Sequence, residues 1–305
     1  MSQDSLTTTL FLQDFTALDF AYLCPENGVQ GESFWVSAEL TGKLDAQGFI
    51  MDFGKVKKLL KQAVDDQLDH RLAVATKNPG VAKISANKNV LMVDFNAAKN
   101  ALHYEAPEQA FALLDGASVD KTSLCQFLEE KIRPKLSENV SRVKILLREE
   151  ALFSSDANFR YTHGLRMHDG NCQRLIHGHR NLIEVFVDQK KSPTHEKFLA
   201  EKFANVHFAA KTVVQNLAEL DLPFGERQLA NPKQARIFYS APQGSFLADI
   251  PARDIILLEA EPSIENITNY AWQLLHKEFK IAPPSLEVHG YEGLQKGAIV
   301  KGMYN

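Results

Sequence analysis

The sequence predicts an α+β protein built from two consecutive copies of one domain, each an antiparallel sheet with helices packed on one face. Three observations predict this architecture: an internal similarity at half-length, extended segments with alternating side chains, and segments with helical periodicity. Consecutive hairpins with helices grouped on one face are typical of a two-layer α+β domain. We place the copies at residues 1–153 and 154–305, without a Pro- or Gly-rich linker between them.

The internal similarity is clearest where Tyr104–Phe111 (YEAPEQAF) is echoed by Tyr239–Phe246 (YSAPQGSF). Each motif is followed by an apolar strand pattern and a helix start. A repeat of about 140 to 150 residues is too long for a solenoid and indicates two homologous domains.

The opening hairpins of the two halves also correspond. FTALD at 15–19 aligns with FRYTH at 159–163, and QGE at 30–32 aligns with HGH at 177–179. These pairs predict that the same hairpin begins each copy.

Periodicity predicts the main elements of each copy. Residues 33–40 and 182–188 alternate between apolar and polar, as half-buried strands do. Residues 53–68 and 265–279 place their apolar side chains on one helical face. A further aromatic-led helix is expected to begin at His207 in the second copy.

The composition excludes several classes of protein. The chain has 305 residues, a net charge of −4 and no long basic run, so no nucleic-acid partner is expected. No apolar run is long enough to span a bilayer, and the N-terminus has no export signal, so we expect no membrane partner. Three cysteines are too few for a disulfide framework and favour a reducing, cytoplasmic location.

The most informative segment holds several histidines and one cysteine. His177 and His179 flank Gly178 and therefore point to the same side of a strand, and His163 can reach them across the hairpin. Three imidazoles with one open position are typical of a catalytic zinc site. Cys172 lies five residues before His177 and strengthens this interpretation over a histidine-rich surface hairpin.

These residues resemble the 6-pyruvoyltetrahydropterin synthase and 6-carboxytetrahydropterin synthase family, which has the tunnelling fold, or T-fold. The matching motifs are Gly48–Phe53 and Leu68-Asp69-His70 in the first copy, and His163, Cys172, His177-Gly-His179, Pro262-Ser-Ile-Glu265 and Glu292 in the second. The resemblance covers most of the chain, taken as two tandem units.

The resemblance implies a zinc-dependent lyase that acts on 7,8-dihydroneopterin triphosphate or a related dihydropterin. It assigns zinc ligation to His163, His177 and His179, proton transfer to Cys172, Asp69 and His70, and pterin binding to Glu292 and Glu265. The alternatives are that Glu292 is a solvated charge at a strand end and that Glu265 is only a helix-start carboxylate. The compact chain favours the carboxy product of the deazapurine (queuosine) pathway over the pyruvoyl product. The alternative is a non-catalytic pterin- or purine-binding protein that retains a zinc site.

The two copies depart from the family pattern in complementary ways. The first has Asp19, Gln30 and Glu32 at the positions aligned with the zinc ligands, so we expect no zinc there. The second has Pro223–Gly225 near the position where an Asp-His pair is expected. We therefore expect one kind of site, shared between the copies.

A shared site makes a geometric prediction. The His70 ring should lie within ~6 Å of the Cys172 sulfur, because a proton relay must connect through hydrogen bonds or one water. Asp69 is expected to orient that ring. The alternative is that Asp69 and His70 form a solvated turn after the first helix.

Several neighbouring residues are given less specific roles. Arg174 and Arg180 are either triphosphate contacts or surface arginines. His168 is expected to be a solvated loop residue, although it could replace His163 as a ligand. Cys125 is expected in the core, and Cys24 is expected to be inert.

Assembly beyond the monomer is also expected. T-fold units expose sheet edges that close when neighbours join them into a barrel. Two copies supply too few strands for a wide barrel, so we expect a homo-oligomer that is at least a dimer.

Overall fold

The computed structural model of the chain describes residues 7–97, 100–151, 157–215, 234–282 and 285–302. The elements of the first half are β1 (Thr8–Cys24), β2 (Gly28–Gly42), α1 (Phe53–Gln67), β3 (Leu72–Ala75), β4 (Val81–Asn87), β5 (Val90–Ala97), β6 (Asn100–Pro107), β7 (Phe111–Leu114), α2 (Lys121–Ile132) and β8 (Val140–Arg148). The predicted strand at 33–40 lies in β2, and the predicted helix at 53–68 is α1.

The second half repeats this order of elements with small differences. Its elements are β9 (Asn158–His163), β10 (His177–Val187), β11 (Lys190–Lys191), α3 (Pro193–Phe203), β12 (Val206–Ala210), β13 (Gln234–Ala241), β14 (Gly244–Pro251), β15 (Ile255–Leu258), α4 (Ile264–Phe279), β16 (Leu286–Tyr291) and β17 (Gly297–Lys301). The predicted strand at 182–188 lies in β10 except for its last residue, and the predicted helix at 265–279 is α4.

Each half builds a sheet with the same strand order. The first sheet runs β7-β3-β1-β2-β8, and the second runs β15-β12-β9-β10-β16 with β17 added at its end. β1, β2 and β8 pair antiparallel, as do β9, β10 and β16. The short strands β3 and β7, and likewise β12 and β15, join in parallel. These parallel strands are fully or largely buried and carry no alternation from which their pairing could be predicted.

Each sheet packs its apolar face against two helices. Helix α1 begins after Asp52, whose side chain accepts a hydrogen bond from the Lys55 backbone N–H at 2.9 Å. Its inward face carries Val56 and Leu60, which are fully buried in a core shared with the first sheet and α2. A separate core lies under α3 and α4 in the second copy. The helices therefore cover one face of each sheet.

A third sheet joins the two copies, and the sequence did not predict it. Its order is β13-β14-β6-β5-β4, with Ala248 of β14 opposite Tyr104 of β6. The apolar cluster beneath it draws residues from both halves, including the fully buried Phe95 and Phe246. The copies are thus joined by backbone pairing and by a common core.

Two details of the predicted repeat are wrong. His207 and Phe208 lie in the buried strand β12, not at the start of a helix; the helix of that region, α3, comes before them. Tyr104 lies in β6 and Tyr239 in β13, although β6 leads to β7 as β14 leads to β15. The two tyrosine motifs therefore sit on strands that are not equivalent.

The opening hairpins of the two copies touch where β2 and β10 cross. A Cβ atom on Gly31 would collide with the backbone of Tyr161 and His179, and one on Gly178 would press on the Gly31 Cα. Only glycine permits this approach of two backbones. The QGE segment of the first copy is thereby held against the HGH segment of the second.

Two sequence predictions fall where the structure gives no description. The proposed boundary at residues 153 and 154 and the segment Pro223–Gly225 lie outside the described residues. In the described ranges, helices are too short or too polar to cross a membrane.

Candidate functional site

Three histidines meet at the end of the β9–β10 hairpin where its connecting loop begins and ends. His163 lies directly opposite His177 in the register of the two strands, and His179 follows on the same face. All three are buried, and one ring nitrogen of each lies within 4.8 Å of the others. The Nε2 atoms of His163 and His179 are 3.1 Å apart. The hairpin thus brings together the three predicted ligands.

Backbone carbonyls fix the orientation of two of these rings. His163 Nδ1 lies 2.7 Å from the Pro262 carbonyl oxygen, and His177 Nδ1 lies 2.8 Å from the Arg174 carbonyl oxygen. A carbonyl can only accept, so each Nδ1 carries the proton and each Nε2 presents a lone pair. His177 Nε2 is buried and has no hydrogen-bond partner among the described residues.

Two of the histidines, His163 and His177, are held in the neutral form that binds metals. Burial, followed by the charge of neighbouring imidazoles, holds the pKa of His163 and of His177 well below the ordinary value. Neutral His163 and His177 present their Nε2 lone pairs to the cluster, where a cation could accept them. Three histidines with room for one more ligand are the donor set of catalytic zinc. The residues present therefore fit zinc.

Asp19 of β1 reaches this cluster from the first copy. Its Oδ1 lies 3.2 Å from His179 Nδ1 and accepts a hydrogen bond from Ser33 Oγ at 2.5 Å, while Lys296 Nζ is 3.5 Å from Oδ2. Burial acts to raise the pKa of Asp19, but His179 and Lys296 outweigh it and hold that pKa well below the ordinary value. A carboxylate at the outer nitrogen of a ligating histidine orients the ring. Sequence reasoning missed this role because Asp19 lies in the other copy.

The Asp69-His70 pair is anchored to the same residue. His70 Nδ1 lies 2.6 Å from Asp69 Oδ2, and Asp69 Oδ1 accepts from the Asp19 backbone N–H at 3.0 Å. The backbone N–H of His70, which has a positive φ of 54°, donates to the Asp19 carbonyl at 2.7 Å. Burial opposes a charge on His70, but Asp69 and Cys172 outweigh it and hold its pKa well above the ordinary value. The pair lies in a turn after α1 but is hydrogen-bonded and partly buried rather than solvated.

Cys172 lies beside this pair. It belongs to a single helical turn, Gly170–Gln173, between β9 and β10. Its Sγ, a ring nitrogen of His70 and a ring nitrogen of His177 all lie within 4.8 Å of one another. The rings of His70 and His177 are 4.7 Å apart between centroids. One chain therefore brings the thiol, the Asp-His pair and a member of the histidine cluster into a single pocket.

Arg174 joins the two contributions to the pocket. Its Nη1 donates to the carbonyl oxygens of Asp69 at 3.0 Å and of His70 at 3.4 Å. Only 4% of Arg174 is exposed, and Arg180 is similarly buried at 8%. The alternative that these arginines lie on the surface is therefore wrong, and triphosphate contact stays a prediction. Both hold the copies together.

The two predicted pterin-binding carboxylates lie at different depths. Glu292 Oε1 is 4.0 Å from His163 Nε2, and its Oε2 is 3.8 Å from Lys296 Nζ. Glu265 is exposed in the first turn of α4, where a hydrogen bond with the Ser263 side chain lowers its pKa. Glu292 thus lies at the histidine cluster, whereas Glu265 lies toward the solvent.

Strand register corrects the alignment of the first copy. Tyr22 lies opposite Gln30 as His163 lies opposite His177, so Tyr22, not Asp19, is the counterpart of His163. The misalignment arose because FTALD and FRYTH have similar residues. FTALD, however, ends five residues before the end of β1, whereas FRYTH ends at the last residue of β9. Gln30 and Glu32 keep the predicted correspondence with the other two histidines.

The counterparts in the first copy are committed to other contacts. Tyr22 Oη donates to Gln30 Oε1 at 2.9 Å, and Gln30 Nε2 donates to Asn205 Oδ1 at 2.7 Å. Glu32 Oε2 accepts from Arg160 Nη2 at 2.7 Å. Hydrogen bonds and an ion pair occupy the place where the second copy gathers three imidazoles.

Asn205 is the counterpart of His70 in the second copy. Both have positive φ, 59° for Asn205 and 54° for His70. The Asn205 backbone N–H donates to the Arg160 carbonyl, as the His70 N–H donates to the Asp19 carbonyl, each at 2.7 Å. The pair expected near Pro223–Gly225 therefore corresponds to a position earlier in the chain.

The remaining candidates lie outside the pocket. His168 is exposed, and its Nδ1 lies 2.8 Å from the Asp169 carbonyl oxygen. Cys125 is partly buried against the core of the first copy. Cys24 Sγ lies 3.1 Å from a carboxylate oxygen of Glu26 at the surface.

A tandem T-fold with a three-histidine cluster, a cysteine and an Asp-His pair in one pocket defines a pterin synthase-type enzyme. The chain belongs to the 6-pyruvoyl tetrahydropterin synthase family, whose sequence profile matches residues 24–154 and again residues 152–302. Members of this family are lyase-type enzymes, and the double match identifies a tandem arrangement.

Individual relatives match about half of the chain. A putative 6-carboxy-5,6,7,8-tetrahydropterin synthase of Pyrococcus horikoshii is 24% identical over 149 residues, covering 48% of this chain and 82% of that protein. The 6-pyruvoyl tetrahydropterin synthase of Plasmodium falciparum is 17% identical with a TM-score of 0.36, covering 46% of this chain and 90% of that one. A Plasmodium vivax 6-pyruvoyl tetrahydropterin synthase is 15% identical with a TM-score of 0.32, covering 48% and 100%.

Proposed function

We propose that the protein is a zinc-dependent lyase that acts on 7,8-dihydroneopterin triphosphate or a related dihydropterin. The observation that carries this proposal is the meeting of two half-sites within one chain. The second copy supplies three buried histidines and Cys172, and the first supplies Asp69 and His70. Neither copy alone holds this set.

His163, His177 and His179 would hold the zinc. When bound, the metal supplies Lewis-acid stabilisation of negative charge on the oxygens of the substrate side chain. The protein contributes the orientation of these rings, through the carbonyls of Pro262 and Arg174. Burial of the cluster keeps bulk water away from the reacting side chain.

Cys172 is the proposed base that removes a carbon-bound proton from the side chain of the substrate. His70, whose pKa is held above its ordinary value, is the proposed donor that returns a proton to the side chain, and Asp69 holds its ring through the 2.6 Å contact at Nδ1. The opposite nitrogen of His70 is left to face the thiol, which is the arrangement of a base oriented by a third group. Proton transfer by positioned side chains of this kind contributes roughly 10²- to 10⁴-fold in rate.

Glu292 is the proposed anchor of the pterin ring. A carboxylate that accepts two hydrogen bonds from a ring N–H and an amino group binds in a defined orientation. Its distance of 4.0 Å from His163 would place the ring beside the metal site. Glu265, in the first turn of α4, is a proposed contact at the outer edge of the site.

The test is product analysis after zinc-loaded protein is incubated with 7,8-dihydroneopterin triphosphate. We expect release of triphosphate and a 6-substituted tetrahydropterin, with the carboxy product, as in queuosine biosynthesis, favoured over the pyruvoyl product. Tight pterin binding without turnover would instead identify a non-catalytic binding protein that retains zinc. The His168→Ala variant is a suitable control because this histidine is exposed and outside the pocket.

We also propose that the protein assembles as a homo-oligomer, at least a dimer, in the cytoplasm. Strands β8 and β7 lie at the two edges of the first sheet, and β17 and β15 lie at the edges of the second. Unpaired sheet edges favour pairing with another chain. Sedimentation at micromolar concentration should exceed the monomer mass of 34.2 kDa.

A further inference from the structure

The first copy retains a pocket at the position that corresponds to the proposed active site. A cavity of about 190 Å³ is lined there by Tyr22 and Glu32, the counterparts of two zinc ligands. The start of α2 also lines this cavity, as the start of α4 lies beside His163 in the second copy. The first copy, which lacks the metal-binding histidines, therefore still has a cavity at the corresponding position.

Glu149 in this cavity is the counterpart of Glu292. Val36 lies opposite Leu147 in the first sheet, and its counterpart Ile183 lies opposite Gly290 in the second. Counting two residues beyond each pair reaches Glu149 and Glu292. Both carboxylates also have a lysine neighbour, since Lys121 Nζ lies 2.5 Å from Glu149 Oε1 as Lys296 lies near Glu292.

The polar lining of the cavity includes the carboxylates of Glu32 and Glu149. Glu149 Oε2 accepts from Arg180 Nη1 at 3.0 Å, and the Lys121 and Arg180 contacts lower the pKa of Glu149. A carboxylate has about four acceptor positions, so further N–H groups can bind. Arg180 Nε lies 3.3 Å from Glu32, so the same guanidinium contacts both carboxylates.

The walls of the cavity suit a flat ring. Phe20 and Phe34 lie side by side with centroids 6.1 Å apart and form an apolar wall. A volume of 190 Å³ corresponds to about six water molecules, which suits a planar bicyclic ring but not a triphosphate chain. The cations are already paired, because Arg160 and Arg180 contact Glu32 and Lys121 contacts Glu149. An anionic ligand is therefore disfavoured relative to a neutral ring.

We infer that this cavity is a second, non-catalytic binding site for a 2-amino-4-oxo heterocycle of the pterin class. Glu149, which lines the cavity, accepts the ring N–H and amino protons. The ligand class rests on the proposed function, since Glu149 occupies the position of the proposed pterin anchor. The site binds without turnover because Gln30 and Glu32 are committed to Asn205 and Arg160.

The experiment is equilibrium dialysis of the full chain against unsubstituted pterin, with the bound amount measured by fluorescence. The wild-type chain is expected to bind about two pterins, and Glu149→Gln and Glu292→Gln about one each. Glu39→Gln, an exposed carboxylate on β2, is the matched control and should still bind about two. Near-UV circular dichroism checks that each variant is folded.

The possible outcomes separate this inference from the proposed function. A wild-type stoichiometry of one that is lost in Glu292→Gln and unchanged in Glu149→Gln would overturn the second site and leave the first intact. Loss of one pterin in Glu149→Gln alone would support the second site even if Glu292 had no role. If Glu149→Gln does not fold, Glu292→Gln decides: one bound pterin supports the second site, and none overturns it.

Discussion

The carboxylate of Asp19 faces the outer nitrogen of His179, with 3.2 Å between Oδ1 and Nδ1, although the two residues belong to different copies of the domain. The same aspartate binds the Asp69-His70 pair through its backbone N–H and carbonyl. One residue of the first copy therefore orients both a proposed zinc ligand and the proposed proton relay.

Replacing Asp19 by Asn should weaken zinc binding roughly 10- to 100-fold, because such partners orient the ring and strengthen it as a ligand. The measurement is competition for zinc with a chromogenic chelator. Glu39→Gln is the control, since this carboxylate is exposed and paired with Lys144 far from the cluster. Unchanged zinc affinity in Asp19→Asn would show that the contact is incidental.

Zinc content should be about one per chain, because the described part of the first copy has no comparable histidine cluster. His177→Ala should lose the metal, since its unpartnered Nε2 faces the cluster. Elemental analysis of the purified protein measures both. Removal of zinc by a chelator should abolish turnover, and zinc should restore it. A content of two per chain would contradict the assignment of the first copy.

Cys172→Ala and His70→Ala should each lose on the order of 10²-fold or more in kcat, because each removes a positioned proton-transfer group. Both variants should keep their zinc, since neither residue is a proposed ligand. Steady-state kinetics with elemental analysis separates the two effects. His168→Ala should behave as the wild type. Full activity in His70→Ala would show that His70 takes no part in proton transfer.

Gly31→Ala should destabilise the protein by about 2 kcal/mol or more, because its Cβ would collide with the backbone of Tyr161 and His179. Chemical denaturation measures the free energy of unfolding. Gly116→Ala is the matched control: its nearest neighbour would lie 3.9 Å from the added Cβ. Equal stability of the two variants would show that the backbones of β2 and β10 can move apart at their crossing without loss of stability.

The sequence predicted the parts of this molecule that depend on local pattern. Alternation and helical periodicity gave β2, β10, α1 and α4, and the HGH spacing gave the histidine cluster. The short buried strands β3 and β12 were missed because a fully buried strand has no alternation. His207 lies in β12, and because this strand does not alternate, the segment was mistaken for the start of a helix.

Contacts between the copies could not be predicted from local pattern. Asp19 was taken as a lost ligand because alignment by letters ignores the register that places Tyr22 opposite Gln30. The burial of Arg174 was missed because the carbonyl groups that accept its hydrogen bonds lie in the other copy. The pairing of β6 with β14 was missed for a similar reason, since it joins segments far apart in the chain.

The central claim is that each chain completes its own site from two copies. Its most direct test mixes His70→Ala chains with His177→Ala chains after joint unfolding and refolding, and measures lyase activity. Because His70, Cys172 and the histidine cluster meet within one chain, the mixture should show no more activity than the two variants assayed separately. Substantial recovery of activity in the mixture would mean that sites form between chains, and would contradict the account.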